Sequence, residues 1–245
     1  MMQLNRFLSR YGHPLLMGAW FYALAGLLPG RAYTAFLRPE FGILLVVALL
    51  VLIGFLFAEM ASVGRKRAFG IDGAIRMLIL IAPLVYLSIA RGASLDSSAF
   101  QRRWTGMAGI NGRSMPLQDA VMDGGTKDVS GSNEDVPLHY LCRHPKAYAE
   151  RTIAVVGMLH RDPNIATRFG TNTCVMFRFV ITCCAADAMP AAILLIGEVP
   201  ADWPDDTWIR AEGRFALRDD QGKPMPTLEL SGATRTAKPR QPYLY

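Results

Sequence analysis

Phe41–Ala58 reads FGILLVVALLVLIGFLFA, 18 residues without a charge. A helix of that length crosses the roughly 30 Å hydrocarbon core of a bilayer. A buried helix of a soluble protein would carry polar residues on at least one side. Two weaker apolar stretches flank it. Pro14–Leu28, PLLMGAWFYALAGLL, is shorter but holds Trp20 and Tyr22, side chains suited to a membrane interface. Met77–Ala90, MLILIAPLVYLSIA, contains Pro83, which membrane helices tolerate as a kink, and Arg76 ahead of it can snorkel to headgroups. The expectation is about three transmembrane helices, near residues 14–28, 41–58 and 71–90. Arg6 and Arg10 before the first apolar stretch also fit a cleaved signal peptide.

Charge divides the chain at the same place. Of the 26 Lys and Arg and 20 Asp and Glu, residues 1–91 hold nine and three, so they carry the entire net charge of +6. The remaining residues are formally neutral. The basic character therefore belongs to membrane flanks, and a nucleic-acid surface, which needs a basic patch, is excluded. The densest basic cluster, Gly64–Arg67 (GRKR), is expected on the cytoplasmic side. With three spans the C-terminal domain then lies outside the cytoplasm. If the second and third segments alone form a hairpin, it lies inside.

From Gly92 the texture changes to Gly, Ser, Asn and Asp with little periodicity, and residues 92–137 read as a flexible linker. Order resumes at LHYLCRHPKAYAER, Leu138–Arg151, with a short helix stopping before Pro145. Residues 138–245 then form a soluble domain with five strand signals: TIAVVGMLHRDP, CVMFRFVITCC, AAILLIGEV, TWIRAEGRFALR and PTLELSGATRTA. Short strands with glycines inside two of them suggest a small all-β, OB-like Greek-key barrel. Trp203 and Trp208 bracket a turn and read as packing residues. Arg178 reads as barrel exterior, and Arg218–Pro224 as an interstrand turn. No Ser-His-Asp set, phosphate loop, HExxH or nucleotide fingerprint occurs, so an enzyme is not expected.

RFVITCCAADAMPAAILL, followed by DDTWIRAEGRF, resembles the YcgQ-like family of bacterial membrane proteins. Arg178, Phe179, Cys183, Cys184, Ala186, Asp187, Ala188 and Pro190 carry the resemblance, with Trp208 and Gly213. YTAFLRPEFGILL and IAPLVYLSIARGASLDSSAFQRR look like the family's membrane part. Arg91 and Gly92 depart from it, where a more proline-rich exit from the last span is expected. The resemblance implies a multi-pass protein of the bacterial inner membrane, an accessory subunit of a two-component membrane permease complex, partnered by a polytopic permease in the lipid bilayer. Its barrel would bind or gate the transported species.

Cys183 and Cys184 close the second strand signal. Strand alternation carried to its end sends Cys183 into the core and Cys184 outward. A turn there would instead bring both sulfurs to one side, beside the Asp187 carboxylate. Two thiolates and a carboxylate suit zinc or another thiophilic metal. Antiparallel pairing of the first two strands brings Cys142 and His144 within possible reach, to complete the ligand set. His160 and Cys174 are a weaker second pair at the other end of that hairpin. Three other outcomes stay open: cysteines as small core hydrophobes, a disulfide from Cys183 or Cys184 to Cys142 or Cys174, and a stand-alone metal-binding or thiol redox-sensing protein.

Overall fold

The computed structural model describes residues 2–61, 71–89, 95–111, 135–220 and 222–245, in two compact units, Met1–Ser94 and Leu95–Tyr245. The first unit contains helices α1 (Met2–Ala25), α2 (Gly42–Ala61) and α3 (Ile71–Ile89), with α1 packed on both others. Leu45 and Leu49, one turn apart on α2, are buried, as are Leu16 and Ala23 on α1. The Trp20 indole N–H donates to the Leu80 carbonyl at 3.1 Å, tying α1 to α3. Pro39 opens the turn leading into α2, where its missing N–H costs nothing.

Of the three expected spans, one is upheld by length and composition. Pro39–Ala61 has a mean hydropathy of 3.1 and is only 11% buried, unlike the core helix of a soluble protein. Gly73–Ile89 is apolar but shorter, and α1 begins far ahead of Pro14, taking Arg6 and Arg10 into the helix. The GRKR segment lies outside the described residues.

In the second unit the first finding corrects the linker. Ser97–Asn111 forms a helix, α4, and Phe100 on it is 1% exposed. Asp96 caps it: its Oδ1 accepts from the Ala99 N–H at 3.0 Å and the Ser98 hydroxyl at 2.7 Å. The Asp206 carboxylate accepts from the N–H and hydroxyl of Ser97, at 2.6 and 2.9 Å, fixing the helix start to the loop before β4. Most of the remaining linker falls outside the described residues.

The C-terminal domain comprises five strands plus helices: α5 (Leu138–Arg143), α6 (Pro145–Tyr148), β1 (Thr152–His160), α7 (Pro163–Phe169), β2 (Thr173–Val180), β3 (Met189–Ile196), β4 (Trp208–Asp220) and β5 (Lys223–Arg235). The strands close into a barrel in the order β1-β2-β3-β5-β4, with β3 and β5 parallel and the other pairs antiparallel. A β-bulge falls at Glu212/Gly213, where a side chain on Gly213 would stand 2.0 Å from the Glu229 carbonyl oxygen. Glycine there lets β4 coil tightly against β5.

The seam between β1 and β2 is short, pairing only Met158–His160 with Val175–Phe177. Two other segments use the edges left over. The Val136 N–H donates to Ala154 on β1 at 2.8 Å, and the C-terminal Leu244 exchanges hydrogen bonds with Phe179 and Ile181 at 2.9 Å each. Leu138, Leu141 and Cys142 of α5 join Val155, Met176, Ile193, Leu195, Ile209 and Phe215 in the barrel core. The opposite face of β2 is also buried. Val175, Phe177 and Phe179 form a second core with Phe100, Ala192, Leu194 and Tyr243.

Arg178 is not on the barrel exterior. Its guanidinium donates to the carbonyls of Gln241 (2.7 Å) and Pro242 (3.2 Å), and burial lowers its pKa to about 10. The tail that covers it arrives from far along the sequence, so local alternation could not show it. Trp203 and Trp208 do pack, each beneath an arginine, Arg235 and Arg178 respectively.

Candidate functional site

The connection between β2 and β3 is built around one carboxylate. Strand β2 ends at Val180, and beyond Ile181 the backbone N–H groups go to a side chain in place of a neighbouring strand as the chain folds through a 3-10 turn, Ala185–Asp187. Asp187 Oδ1 accepts from the Thr182 N–H at 3.0 Å. Its Oδ2 accepts from Cys183 N–H at 2.7 Å and Cys184 N–H at 3.3 Å. These bonds reel the loop in and put both sulfurs on its outer side. The Cys183 and Cys184 Sγ atoms are 3.6 Å apart, and ligand atoms of Cys183, Cys184 and Asp187 all lie within 4.8 Å of one another. Cys183 is exposed; Cys184 and Asp187 are half-buried. The inward orientation expected of Cys183 from strand alternation fails because the strand stops three residues earlier.

The electrostatics follow from the same contacts. Burial would raise the Asp187 pKa, but the Cys183 thiol and the three backbone N–H groups outweigh it and lower the pKa. Conversely, hydrogen bonding to Asp187 and then to Cys184 pushes the Cys183 thiol up to about 12. Arg103 of α4 reaches the loop, donating to the Ala185 carbonyl at 3.1 Å, with its guanidinium carbon 5.4 Å from the centre of the Phe179 ring. Sequence reading missed Arg103, because its helix lies in the stretch taken as linker. The Asp96-Ser97-Ser98 capping signal was the available clue.

The other predicted ligands do not join the group. Cys142 is buried in the barrel core, where its thiol donates to the Ala192 carbonyl at 3.5 Å and burial raises its pKa to about 12. It behaves as a small hydrophobe. His144 is exposed at the end of α5 and belongs to no such cluster. His160 and Cys174 lie on opposite faces of the sheet, because His160 pairs with Val175 and the neighbouring residue points the other way. His160 is buried with Nδ1 2.8 Å from the Asp205 carboxylate and Nε2 3.2 Å from the Gln101 amide, both ring nitrogens satisfied. Cys174 is buried, which raises its thiol pKa to about 11; it sits by a cleft of about 670 Å³ bounded by Arg161, Thr173 and Glu198. Arg161 is committed there to the carbonyls of Trp203 and Pro200. All four cysteines are free. The disulfide alternative fails because Cys142 and Cys174 are enclosed while Cys183 and Cys184 sit on the outer loop.

Chemically, the loop offers two sulfurs and one carboxylate oxygen at an edge spacing suited to a tetrahedral ion. Zinc–sulfur bonds of about 2.3 Å place two thiolates of one tetrahedron about 3.8 Å apart, close to the 3.6 Å found here. The chain has no significant match among curated proteins. Residues 135–245, which span the barrel and the β2–β3 loop, match the family described as the DUF1980 C-terminal domain.

Proposed function

We propose that this protein is a membrane-anchored accessory subunit whose barrel binds a thiophilic divalent cation, zinc in class, at Cys183, Cys184 and Asp187. The observation that carries the reading is the convergence of the two Sγ atoms, 3.6 Å apart, with the Asp187 carboxylate. A core role needs neither sulfur exposed nor an acid beside them. The strand order β1-β2-β3-β5-β4 supports an OB-like barrel, a fold that serves many ligands and so leaves the assignment to the site.

Several observations support the membrane setting. On α2 and α3, Ile43, Phe57, Leu78, Tyr86 and Ile89 are each 68% or more exposed, a surface suited to lipid and not to water. With α1 as a third span, the chain would be multi-pass, and the YcgQ-like resemblance supplies a polytopic permease as partner. The barrel would then present the cation to that partner outside the cytoplasm. A thiol redox sensor is the weaker reading, because neighbouring cysteines in one chain lack the Cα separation and dihedrals that a disulfide requires.

The test is metal content of the full chain purified in detergent under reducing, zinc-supplemented conditions. One zinc per chain is expected, with binding weakened at least tenfold in Cys183→Ser and in Cys184→Ser. Absence of stoichiometric zinc from the wild type would overturn the metal reading. Isolation of the native complex from its membrane should also recover a polytopic subunit; a lone chain would count against the partner.

A further inference from the structure

The Asp187 carboxylate is nearly used up by its own loop. A carboxylate offers about four lone-pair directions. Three are taken by the N–H groups of Thr182, Cys183 and Cys184. One direction is left. A cation there receives one oxygen from Asp187 and no more, so bidentate closure is barred. The site then supplies three ligands: two sulfurs and one oxygen.

A zinc held for structure alone has four protein ligands; a position left open belongs to a site that reacts or exchanges. Among the described residues, no further His, Cys, Asp or Glu joins this group. The chain's other cysteines cannot swing in, because both are buried in the barrel interior. Nor can the loop wrap an ion. It is braced from within by Asp187 and from α4 by the Arg103–Ala185 bond. Cys183 and its neighbours Thr182 and Ala186 are exposed, so the side without a protein ligand faces outward.

We infer that this is an open, three-ligand hand-off site, whose fourth position is completed by a thiolate or imidazole of a partner protein that receives or delivers the cation. The inference rests on the metal reading above. Transfer proceeds by ligand exchange without redox change. The incoming thiol binds the ion as thiolate and releases a proton. Cys183 then leaves the ion and takes a proton up as a thiol. Arg103, bound to the Ala185 carbonyl beside the loop, tempers the negative charge of the loaded state.

Cobalt(II) substitution of the full chain in detergent tests this. The wild type should show sulfur-to-cobalt charge transfer, cut to about half in cobalt-saturated Cys183→Ser, which keeps one sulfur, and lost when both cysteines are replaced by Ser. Excess imidazole should shift the d–d bands, because it enters the open position. In the zinc form, the rate of transfer to the chelator 4-(2-pyridylazo)resorcinol should rise in proportion to chelator concentration, as expected when the acceptor binds before the ion leaves. Cobalt bound through sulfur with bands insensitive to imidazole, and zinc release independent of chelator concentration, would show a closed site and overturn the hand-off alone. Failure of the wild type to bind cobalt or zinc would overturn the metal reading itself.

Discussion

Asp187 does two things in the empty loop: it organises the backbone of Thr182–Cys184 and it holds a proton on Cys183. Replacing it by Asn removes the charge while keeping the shape. The Cys183 pKa should then fall from about 12 toward the ordinary thiol range, because the group that raised it is the carboxylate. Alkylation rates measured against pH will show this as faster reaction near neutrality in Asp187→Asn; an unchanged profile would mean that the carboxylate does not govern the thiol. In the wild type, zinc affinity should rise about tenfold per pH unit for each thiol proton displaced. For Cys183 that slope persists through neutrality, since its thiol stays protonated well above pH 7. Titration with a competing chelator between pH 6 and pH 8 measures it, covering about two decades of affinity for one displaced proton.

At the scale of elements, β4 and α4 decide how the barrel closes and what covers it. Gly213→Ala would drive a methyl into the Glu229 backbone, a clash that no rotamer relieves. A loss of about 2–4 kcal/mol is expected, in the range of serious backbone and packing faults, read as a lowered unfolding midpoint. Phe100 stacks on Phe177 with ring centres 4.4 Å apart and meets the edge of His160 at 5.6 Å. Phe100→Ala should cost about 3–5 kcal/mol, as for other buried aromatics. Hydrogen exchange should show the loss concentrated in α4 and the outer face of β2. Unchanged protection there would mean that the helix contributes little to that core.

For the whole molecule, acid stability reports on the packing of the barrel unit. His139 is half-buried, its Nδ1 lacks a hydrogen-bond partner, and its pKa is lowered to about 4 by burial, then by Arg178 and Arg143. The unfolded chain takes up a proton near pH 6.5 that the folded chain refuses until about pH 4. This residue therefore contributes stability above about pH 6.5 that is lost progressively as pH falls to about 4, with no further loss below. Urea unfolding of the full chain in detergent at several pH values should show the decline, and His139→Gln should flatten it. An identical decline in the variant would assign it to other groups.

The sequence by itself determined the apolar stretch Phe41–Ala58, the existence of five strands and the closeness of Cys183, Cys184 and Asp187 in one connection. Each of these depends on local composition or on periods of two and 3.6 residues, which neighbours in the chain can express. Sequence reading missed the helix Pro163–Phe169 between β1 and β2, and the expected turn Arg218–Pro224 lies mostly within β4 and β5. Only the tertiary structure decided how β2 finishes: Phe179–Ile181 pairs with Leu244 at the far end of the chain, and beyond it the Asp187 carboxylate takes the backbone N–H groups and stops the strand. That stop turns Cys183 outward and makes a surface site from what alternation reads as core. Tertiary packing likewise buried both faces of β2, enclosed Cys142, put His160 and Cys174 on opposite sides, and drew α4 out of a stretch whose composition reads as linker. The physical reason is common to all four: burial and pairing with distant segments set which face of a residue meets water, and no local pattern records them.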